Sequence, residues 1–412
     1  MKMFRRLAAG FLALSLNTPA MAAPLAYNSD DFAASLDQLL QEKRDAGFSG
    51  PAPRARRVHN EEQAADFIED NLEATVAILV LNENNKQAAA RESFQSPFFQ
   101  EKKGPKGSEP NGADPRAPRG GSSGSGAILS KDGYIVTNHH VVESGSKFEV
   151  VFNDGSHRPA KLIGTDPATD LAVLKVEGSD YKTISWTDKR PGQAGKRINA
   201  RLGNSVIAIG SPMGHLQTVT RGIISRFHVQ EGMSPISDYQ DVIQVDSAIN
   251  PGSSGGPLFH EASGQFLGLN EAIFSPDGTF MGIGYTIPAY QVQYISETLI
   301  KNGKVVRGSL GIGITPLNQT SRLAVGAPQS LKGVLVTDVP AQSPNVASGL
   351  AAGDVIMDIN GAPVKDTLEL RWKTAQLAPG STASVNVWRK GEKKTFTVKA
   401  VLKPDAPAPK AQ

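Results

Sequence analysis

The sequence predicts a mostly β chain built from small closed barrels. Three observations carry that prediction: short runs rich in Val and Ile recur along the chain, Asp-Gly and Asn-Asp-Gly turns separate them, and helical spacing is confined to a few stretches. With 412 residues the chain accommodates about two or three domains, each able to bury a core.

The N-terminus reads as an export signal. Lys2, Arg5 and Arg6 precede an apolar run from Leu7 to Leu16, and Pro19-Ala20-Met21-Ala22-Ala23 supplies a small-residue cleavage pattern, so residues 1–22 are expected to be removed. The run is well short of the roughly 20 residues of a spanning helix. Removing those three basic residues takes the formal net charge from +3 to zero, which leaves no basic bias toward nucleic acid. The chain has no cysteine, which excludes thiol catalysis, disulfides and Cys-ligated zinc, and suits an oxidising periplasm.

Residues 23–73 form an N-terminal extension. Phe32, Leu36, Leu39 and Leu40 sit at helical spacing between Ser29 and Arg44, and Asn60 with Gln63 resembles a capping box opening a short helix through Phe67 and Ile68. Gly50-Pro51-Ala52-Pro53 lies between them as linker. Ala74 to Leu81 is an apolar strand. Residues 82–121 lack an apolar period and read as a long mobile loop, whose Ser96-Pro97-Phe98-Phe99 is either a docking contact or an exposed pair.

Strands then follow around turns at Asp132-Gly133, Asn153-Asp154-Gly155 and Asp277-Gly278. Alternation over Lys147 to Phe152, and the apolar runs at Leu162-Ile163, Leu171 to Val176 and Val206 to Ile209, fit a barrel. Pro288 to Lys301 reads as a helix, with Gly303 just beyond it and a linker to Gly308. The last unit, 308–402, has short strands, a short helix at Asn345 to Ala352 and the string G-D-V-I-M-D-I-N-G, Gly353 to Gly361. A Pro/Ala-rich tail, 403–412, is expected to be disordered.

One stretch carries chemistry. Asp246 to Phe259 reads D-S-A-I-N-P-G-S-S-G-G-P-L-F, crowding small residues around the hydroxyl of Ser254. Such a turn can point backbone N–H groups at a developing oxyanion, which acyl transfer requires. Upstream, Tyr134 to Val142 ends in His139 and His140, and Asp170 opens the run Leu171 to Val176. The order His, Asp, Ser is that of chymotrypsin-type enzymes.

The motifs T-N-H-H-V-V, D-P-A-T-D-L-A-V-L, G-S-P-M-G-H-L-Q-T-V-T-R-G-I-I-S, Q-V-D-S-A-I-N-P-G-S-S-G-G-P-L and G-I-G-Y-T-I-P together resemble the HtrA (Deg) serine proteases. The resemblance covers Ala74 to Leu402. It implies a chymotrypsin-like double β-barrel over 74–302 and an α+β PDZ domain over 308–402, where the I-N-G turn matches the PDZ signature. It implies His140 as base, Asp170 as its orienter and Ser254 as nucleophile, with an oxyanion hole from the backbone N–H groups of Gly252 and Ser254. It also places the 82–121 loop where relatives carry one that reaches a neighbouring subunit. His139 and Ser253 stand where the family commonly has Asn.

Ala248 and Ile249 occupy the region where trypsin-like enzymes carry a pocket Asp, so small or medium apolar residues are the expected substrate side chains. Leu269, Asn270, Glu271 and Ala272 are expected to form the substrate-pairing edge and pocket wall; Glu271 either tilts a subsite or faces solvent. Ser309, Leu310, Gly311 and Ile312 resemble the PDZ loop that receives a peptide's C-terminal carboxylate. The family implies a periplasmic, ATP-independent endopeptidase acting on unfolded or mislocalised proteins, assembled as a homotrimer or multiples of it, with no metal and no cofactor. The rival class is a periplasmic chaperone or PDZ scaffold with little proteolysis.

Overall fold

The computed structural model describes residues 61–81, 121–184, 200–211, 217–227, 239, 241–273 and 280–403. The expected signal peptide, the Ser29–Arg44 helix, the Gly50–Pro53 linker, most of the 82–121 loop, the Asp277-Gly278 turn and nearly all of the tail lie outside these residues. The capping Asn60 does too, but its helix is present as Glu61–Leu72. Its Phe67, Ile68 and Leu72 pack on the core, with Phe67 edge-on to Phe259 at 5.4 Å.

Strands β1 (Thr75–Leu81), β2 (Gly121–Ile128), β3 (Tyr134–Thr137), β4 (Lys147–Val151), β5 (His157–Asp166) and β6 (Leu171–Val176) close into one antiparallel barrel in the order β1-β2-β3-β6-β5-β4. Strands β7 (Ser205–Gly210), β8 (Thr218–Phe227), β9 (Ile243–Val245), β10 (Pro257–His260), β11 (Gln265–Ile273) and β12 (Gly284–Pro288) close into a second, ordered β10-β11-β12-β9-β8-β7. Closure removes the unpaired edges that a short-stranded sheet would expose.

The two-residue period of a strand explains how one core serves both barrels. In β6, Ala172, Leu174 and Val176 fill the first barrel, while Leu171 and Val173 face outward into a shared layer. In β7, Val206 and Ala208 fill the second barrel, and Ile207 and Ile209 enter the same shared layer. Both faces of these strands are thus buried over Leu171–Leu174 and Val206–Ile209, which is why those segments read as unbroken apolar runs. The helix Ala289–Asn302 covers this layer with Val292, Ile295 and Leu299, and ends at Gly303, whose φ of 71° suits a glycine cap.

Strand β2 departs from expectation. Its sequence, G-S-S-G-S-G-A-I, looks like the end of the preceding loop, yet it pairs with β1 from Gly121 to Ala127. Small residues are needed there for clearance. A Cβ on Gly124 would lie 2.6 Å from Val141, and one on Gly126 would lie 2.7 Å from Ile135.

The C-terminal unit begins with β13 (Gly308–Ser309), followed by β14 (Gly313–Pro316), the helix Gln319–Val325, β15 (Val334–Asp338), β16 (Val355–Ile359) and β17 (Ala362–Pro363). The helix Thr367–Ala375, β18 (Thr382–Arg389), β19 (Glu392–Lys399) and β20 (Val401–Leu402) complete it. The sheet order is β14-β15-β16-β18-β19, so β14 is an edge with the helix Thr367–Ala375 against it. In place of the expected helix at Asn345 to Ala352 there is a 3₁₀ turn, Pro344–Ser348. Ser343 caps it, and Gly349 with φ of 85° ends it before a second turn can form.

Two buried contacts fasten this unit to the barrels. The guanidinium of Arg307 donates to both carboxylate oxygens of Asp166, with Nη1 at 2.8 Å from Oδ1, and both residues are under 10% exposed. Trp372 stands edge-on between Tyr290 and Tyr294, with centroids at 5.7 and 5.5 Å. Arg307→Ala would strand the Asp166 charge, so we expect a loss of about 3–5 kcal/mol in urea unfolding. Arg307→Lys, which keeps charge but loses the two-pronged fork, should lose less. An unchanged midpoint for the Ala variant would show that the pair contributes nothing net.

Candidate active site

The three side chains singled out by the motif order arrive from strand ends on facing barrels. Strand β3 ends at Thr137, and a single helical turn, His139–Val142, follows it. The backbone N–H of His139 donates to the carbonyl of Asp170 at 3.0 Å, as does the buried Asn138 side chain. The N–H of His140 donates to Asp170 Oδ1 at 2.9 Å. Asp170 thus binds the entire turn that presents His140. It sits at φ 52°, a left-handed conformation more open to Asp than to most residues, between the 3₁₀ turn Pro167–Thr169 and β6.

The ring of His140 meets Asp170 directly, with Nδ1 at 2.6 Å from Oδ2. An ionised carboxylate only accepts, so Nδ1 carries the proton and Nε2 is left free to accept one. His140 keeps 37% of its side chain exposed, while Asp170 is 6% exposed. Burial disfavours the imidazolium, but the charge and hydrogen bond of Asp170, with a smaller contribution from Glu143, outweigh it and raise the His140 pKa above 6.5. His139 points elsewhere, its Nε2 lying 3.5 Å from Glu143.

Ser254 follows a turn whose residues determine its shape. Asn250-Pro251-Gly252-Ser253 is closed by the Ser253 N–H donating to the Asn250 carbonyl at 2.8 Å. Pro second and Gly third, with φ of 95° at Gly252, is the pattern of a type II turn. Ser253 adds a weak contact from its Oγ to the Asn250 N–H at 3.3 Å, and so closes the turn from the position where Asn is usual. The next residues dock tightly: Gly255 N–H donates to Asn270 O and Asn270 N–H to Gly256 O, both at 2.8 Å. Among the described residues no protein acceptor engages the N–H of Gly252 or of Ser254.

The Ser254 hydroxyl donates to the carbonyl of Glu271 at 2.9 Å. Among the described residues no hydrogen bond joins it to His140. That carbonyl is available because Glu271 is the extra residue of a β-bulge, with Asn270 opposite Thr286 and Ala272 opposite Tyr285. Glu271 is 2% exposed, which removes the reading that it faces solvent. Strand β11 pairs with β10 only as far as Leu269, and at Asn270 the backbone of Gly255 and Gly256 takes over its edge.

A small pocket opens beside Ser253, lined also by Ala208, Gly210, Thr220, Ala248, Asn250 and Asn270. Ile249 and Leu269 do not line it. They are core residues, Ile249 inside the second barrel and Leu269 in the shared layer. Thr220, whose hydroxyl donates to Ala248 O at 2.9 Å, was not legible as a pocket residue because it lies on another strand, β8. The pocket holds no charged side chain. Among the described residues no group of three His, Asp or Glu could hold a metal ion.

In the C-terminal unit, Ser309 to Ile312 form a tight loop before β14. Gly311 has φ of 60°, and its N–H donates to Ser309 Oγ at 3.1 Å. Leu310 is buried in the core of that unit, and its carbonyl accepts from the Asn345 side chain at 2.6 Å.

We expect NMR titration of the His140 ring to give a midpoint above 6.5, moving down in Asp170→Asn, where burial loses its main opponents. Because the folded pKa is raised, the stability this pair adds is complete below pH 6.5 and lost as pH rises through the folded value. A wild-type midpoint below 6.5 would contradict the geometry.

Comparison with known proteins agrees with the two barrels and the C-terminal unit. A family model for the trypsin-like peptidase domain matches residues 124–269, and one for the PDZ domain matches 308–400. A probable periplasmic serine endoprotease DegP-like of Rhizobium meliloti (strain 1021) is 40% identical over 326 residues, covering 79% of this chain and 61% of its own length. One of Pseudomonas fulva (strain 12-X) is 41% identical over 69% of this chain and 58% of its own. The chain therefore spans about three-fifths of the length of these relatives. Among solved structures, the HtrA-type protease AlgW with tripeptide is 30% identical, with a TM-score of 0.65 over 83% of this chain and 98% of that one. The serine endoprotease from Yersinia pestis is 27% identical, with a TM-score of 0.54. Two closed β-barrels, a PDZ domain and this likeness over nearly the whole of a solved relative make the chain a member of the HtrA family of trypsin-like serine proteases.

Proposed function

We propose that this chain is a periplasmic serine endopeptidase of the HtrA type that cleaves unfolded or mislocalised proteins without ATP. The observation that carries the reading is the 2.6 Å contact of His140 Nδ1 with a buried Asp170, on a turn whose Val141 packs at Gly124 next to the Ser254 carbonyl. In this reading the Ser254 hydroxyl swings from the Glu271 carbonyl toward His140 when substrate enters. His140 Nε2 takes its proton as Oγ bonds to the scissile carbonyl carbon, and the Asp170 charge stabilises the imidazolium. The carbonyl oxygen becomes an oxyanion between the N–H groups of Gly252 and Ser254. As the C–N bond breaks, His140 returns the proton to the leaving amine. Water then releases the acyl group by the same steps, leaving Ser254 as it began.

Domain limits of 74–302 and 308–402, a cleaved leader at 1–22 and a trimeric assembly belong to this proposal. The domain limits are supported by the motif spacing and the leader by relatives named as periplasmic, whereas the trimer rests on the family resemblance alone. Peptides with a free apolar C-terminus are the proposed ligand of the Ser309–Ile312 loop, beside the open edge of β14. Such a peptide should bind in calorimetry, and its amidated form much less; equal affinity would discard carboxylate capture.

A fluorophosphonate probe tests the enzyme against the scaffold alternative, since it labels only an activated serine. Wild-type protein should label, whereas Ser254→Ala and His140→Ala should not, and His139→Ala should keep activity. An unlabelled wild type would favour the scaffold. In digests of an unfolded protein, cuts should follow Val, Ala, Ile or Leu, because the pocket offers a cation no partner. Dominance of Lys or Arg before the cut would overturn this. Cleavage should also rise with pH through the raised His140 pKa, because only the neutral ring accepts a proton.

A further inference from the structure

We propose that Ser125, on β2 of the first barrel, is a positioning residue for the oxyanion-binding turn of the second barrel. The inference rests on the serine-protease reading above. Ser125 is 0% exposed and contacts the Asn250–Ser254 segment at two places. Its hydroxyl donates to the carbonyl of Gly252 at 2.6 Å, and its backbone N–H donates to the carbonyl of Ser254 at 2.8 Å.

These two carbonyls alternate along the chain with the two N–H groups that would hold the oxyanion. Gly252 is the one residue of the turn with no side chain to restrict it, so its ψ has no intrinsic preference strong enough to fix the following peptide. The Gly252 carbonyl and the Ser253 N–H belong to one peptide, which Ser125 holds at its carbonyl and Asn250 at its N–H, so the plane is fixed at both edges. Drawing the Ser254 carbonyl onto Ser125 fixes the peptide after the nucleophile. The two peptides that carry the N–H groups of Gly252 and Ser254 flank the doubly held one, and among the described residues no protein acceptor engages those groups, as a preorganised hole requires.

The hydroxyl is itself held. It accepts the N–H of Ser211 at 2.8 Å, just beyond β7, so its donor direction is forced toward Gly252. Thr137 Oγ1 donates to the Ser125 carbonyl at 2.7 Å, tying the residue to β3 one step from the turn that carries His140. The surroundings leave no slack. A Cβ on Gly255 would lie 2.1 Å from the Ser125 carbonyl, and one on Gly210 would lie 2.9 Å from the Ser253 Cα. A purely space-filling role would need only a small side chain. What Ser125 adds beyond Ala is a hydroxyl with one donor and one acceptor partner, both on the second barrel.

The test compares the full-length wild type, Ser125→Ala and Ser125→Cys on a chromogenic peptide with an apolar residue before the scissile bond. A peptidyl boronate, whose tetrahedral adduct with Ser254 places an oxygen in the hole, is titrated in parallel. Removing a hole donor outright costs about 10²–10³ in kcat, so loss of a group that only aims the donors should lower kcat ~10-fold or more with KM within about twofold. Boronate affinity should fall by the same factor as kcat/KM, and the thiol variant, a weaker donor of similar size, should fall between. Wild-type kcat in Ser125→Ala would overturn the proposal, as would a fall in kcat without a fall in boronate affinity. If Ser125→Ala does not fold, Ser125→Cys decides, and wild-type kcat and boronate affinity there would sink it. A wild type inert to peptide and boronate alike would instead overturn the serine-protease reading.

Discussion

The hydrogen bond from the Ser125 N–H to the Ser254 carbonyl, 2.8 Å long, joins the two barrels at the point where their chemistry must meet. Neither barrel holds the candidate site alone. His140 and Asp170 project from the first, while Ser254 and the Asn250–Gly256 loop belong to the second. A misplacement of about 1 Å between reacting groups can cost about 10²-fold in rate. The barrels must therefore be fixed relative to each other by more than an apolar layer. Strand β2 supplies this. Its glycines let the loop approach until backbone meets backbone, and its serine provides polar partners for the carbonyls buried by that approach. A bulkier strand would bury more surface but hold the loop farther away.

The same logic of paired burial runs from Asp170 outward. Asp170 is held in the left-handed region by the 3₁₀ turn Pro167–Thr169, and that turn is opened by Asp166, whose carboxylate accepts from both Thr169 and Arg307. Arg307 precedes the C-terminal unit directly and also lies 5.1 Å from the centre of the Tyr239 ring. The site in the barrels and the attachment of the PDZ domain thus share one short segment of chain. A buried bidentate pair at that joint favours one relative orientation, because sliding would separate two desolvated charges.

How much of this was legible depended on whether the signal was local. The run Leu171 to Val176 announced a strand buried on both faces, and the whole run is β6. The spacing of Val292, Ile295 and Gly303 gave a helix and its stop, because caps and periodicity are written in neighbouring residues. The partners assigned to His140 and Asp170 came from motif order, and the contact between them is close. What stayed hidden was set by tertiary neighbours. G-S-S-G-S-G is a strand only because Val141 and Ile135 leave no room for side chains. Ile249 and Leu269 were read as pocket residues, yet the loop before Ser254 packs Ile249 inside the second barrel and strand alternation turns Leu269 into the shared layer. No local pattern pairs Arg307 with Asp166 across 141 positions.

Glu271 shows how a buried residue can carry structural weight through its backbone rather than its side chain. Its backbone carbonyl accepts the Ser254 hydroxyl at the bulge of Asn270–Ala272, where pairing with β12 slips by one residue. Its side chain is buried, so the bulge cannot relax by simply rolling it into solvent without reorganising β11. The resting hydroxyl is therefore held in a hydrogen bond with a defined partner rather than free to rotate. In the proposed reaction, a substrate strand laid along β11 past Asn270 would compete for that same carbonyl with its own N–H groups. In that reaction the hydroxyl displaced from the carbonyl would turn to the Nε2 of His140, whose Nδ1 is held by Asp170. Engagement of the backbone and activation of the nucleophile would then be a single exchange of hydrogen bonds.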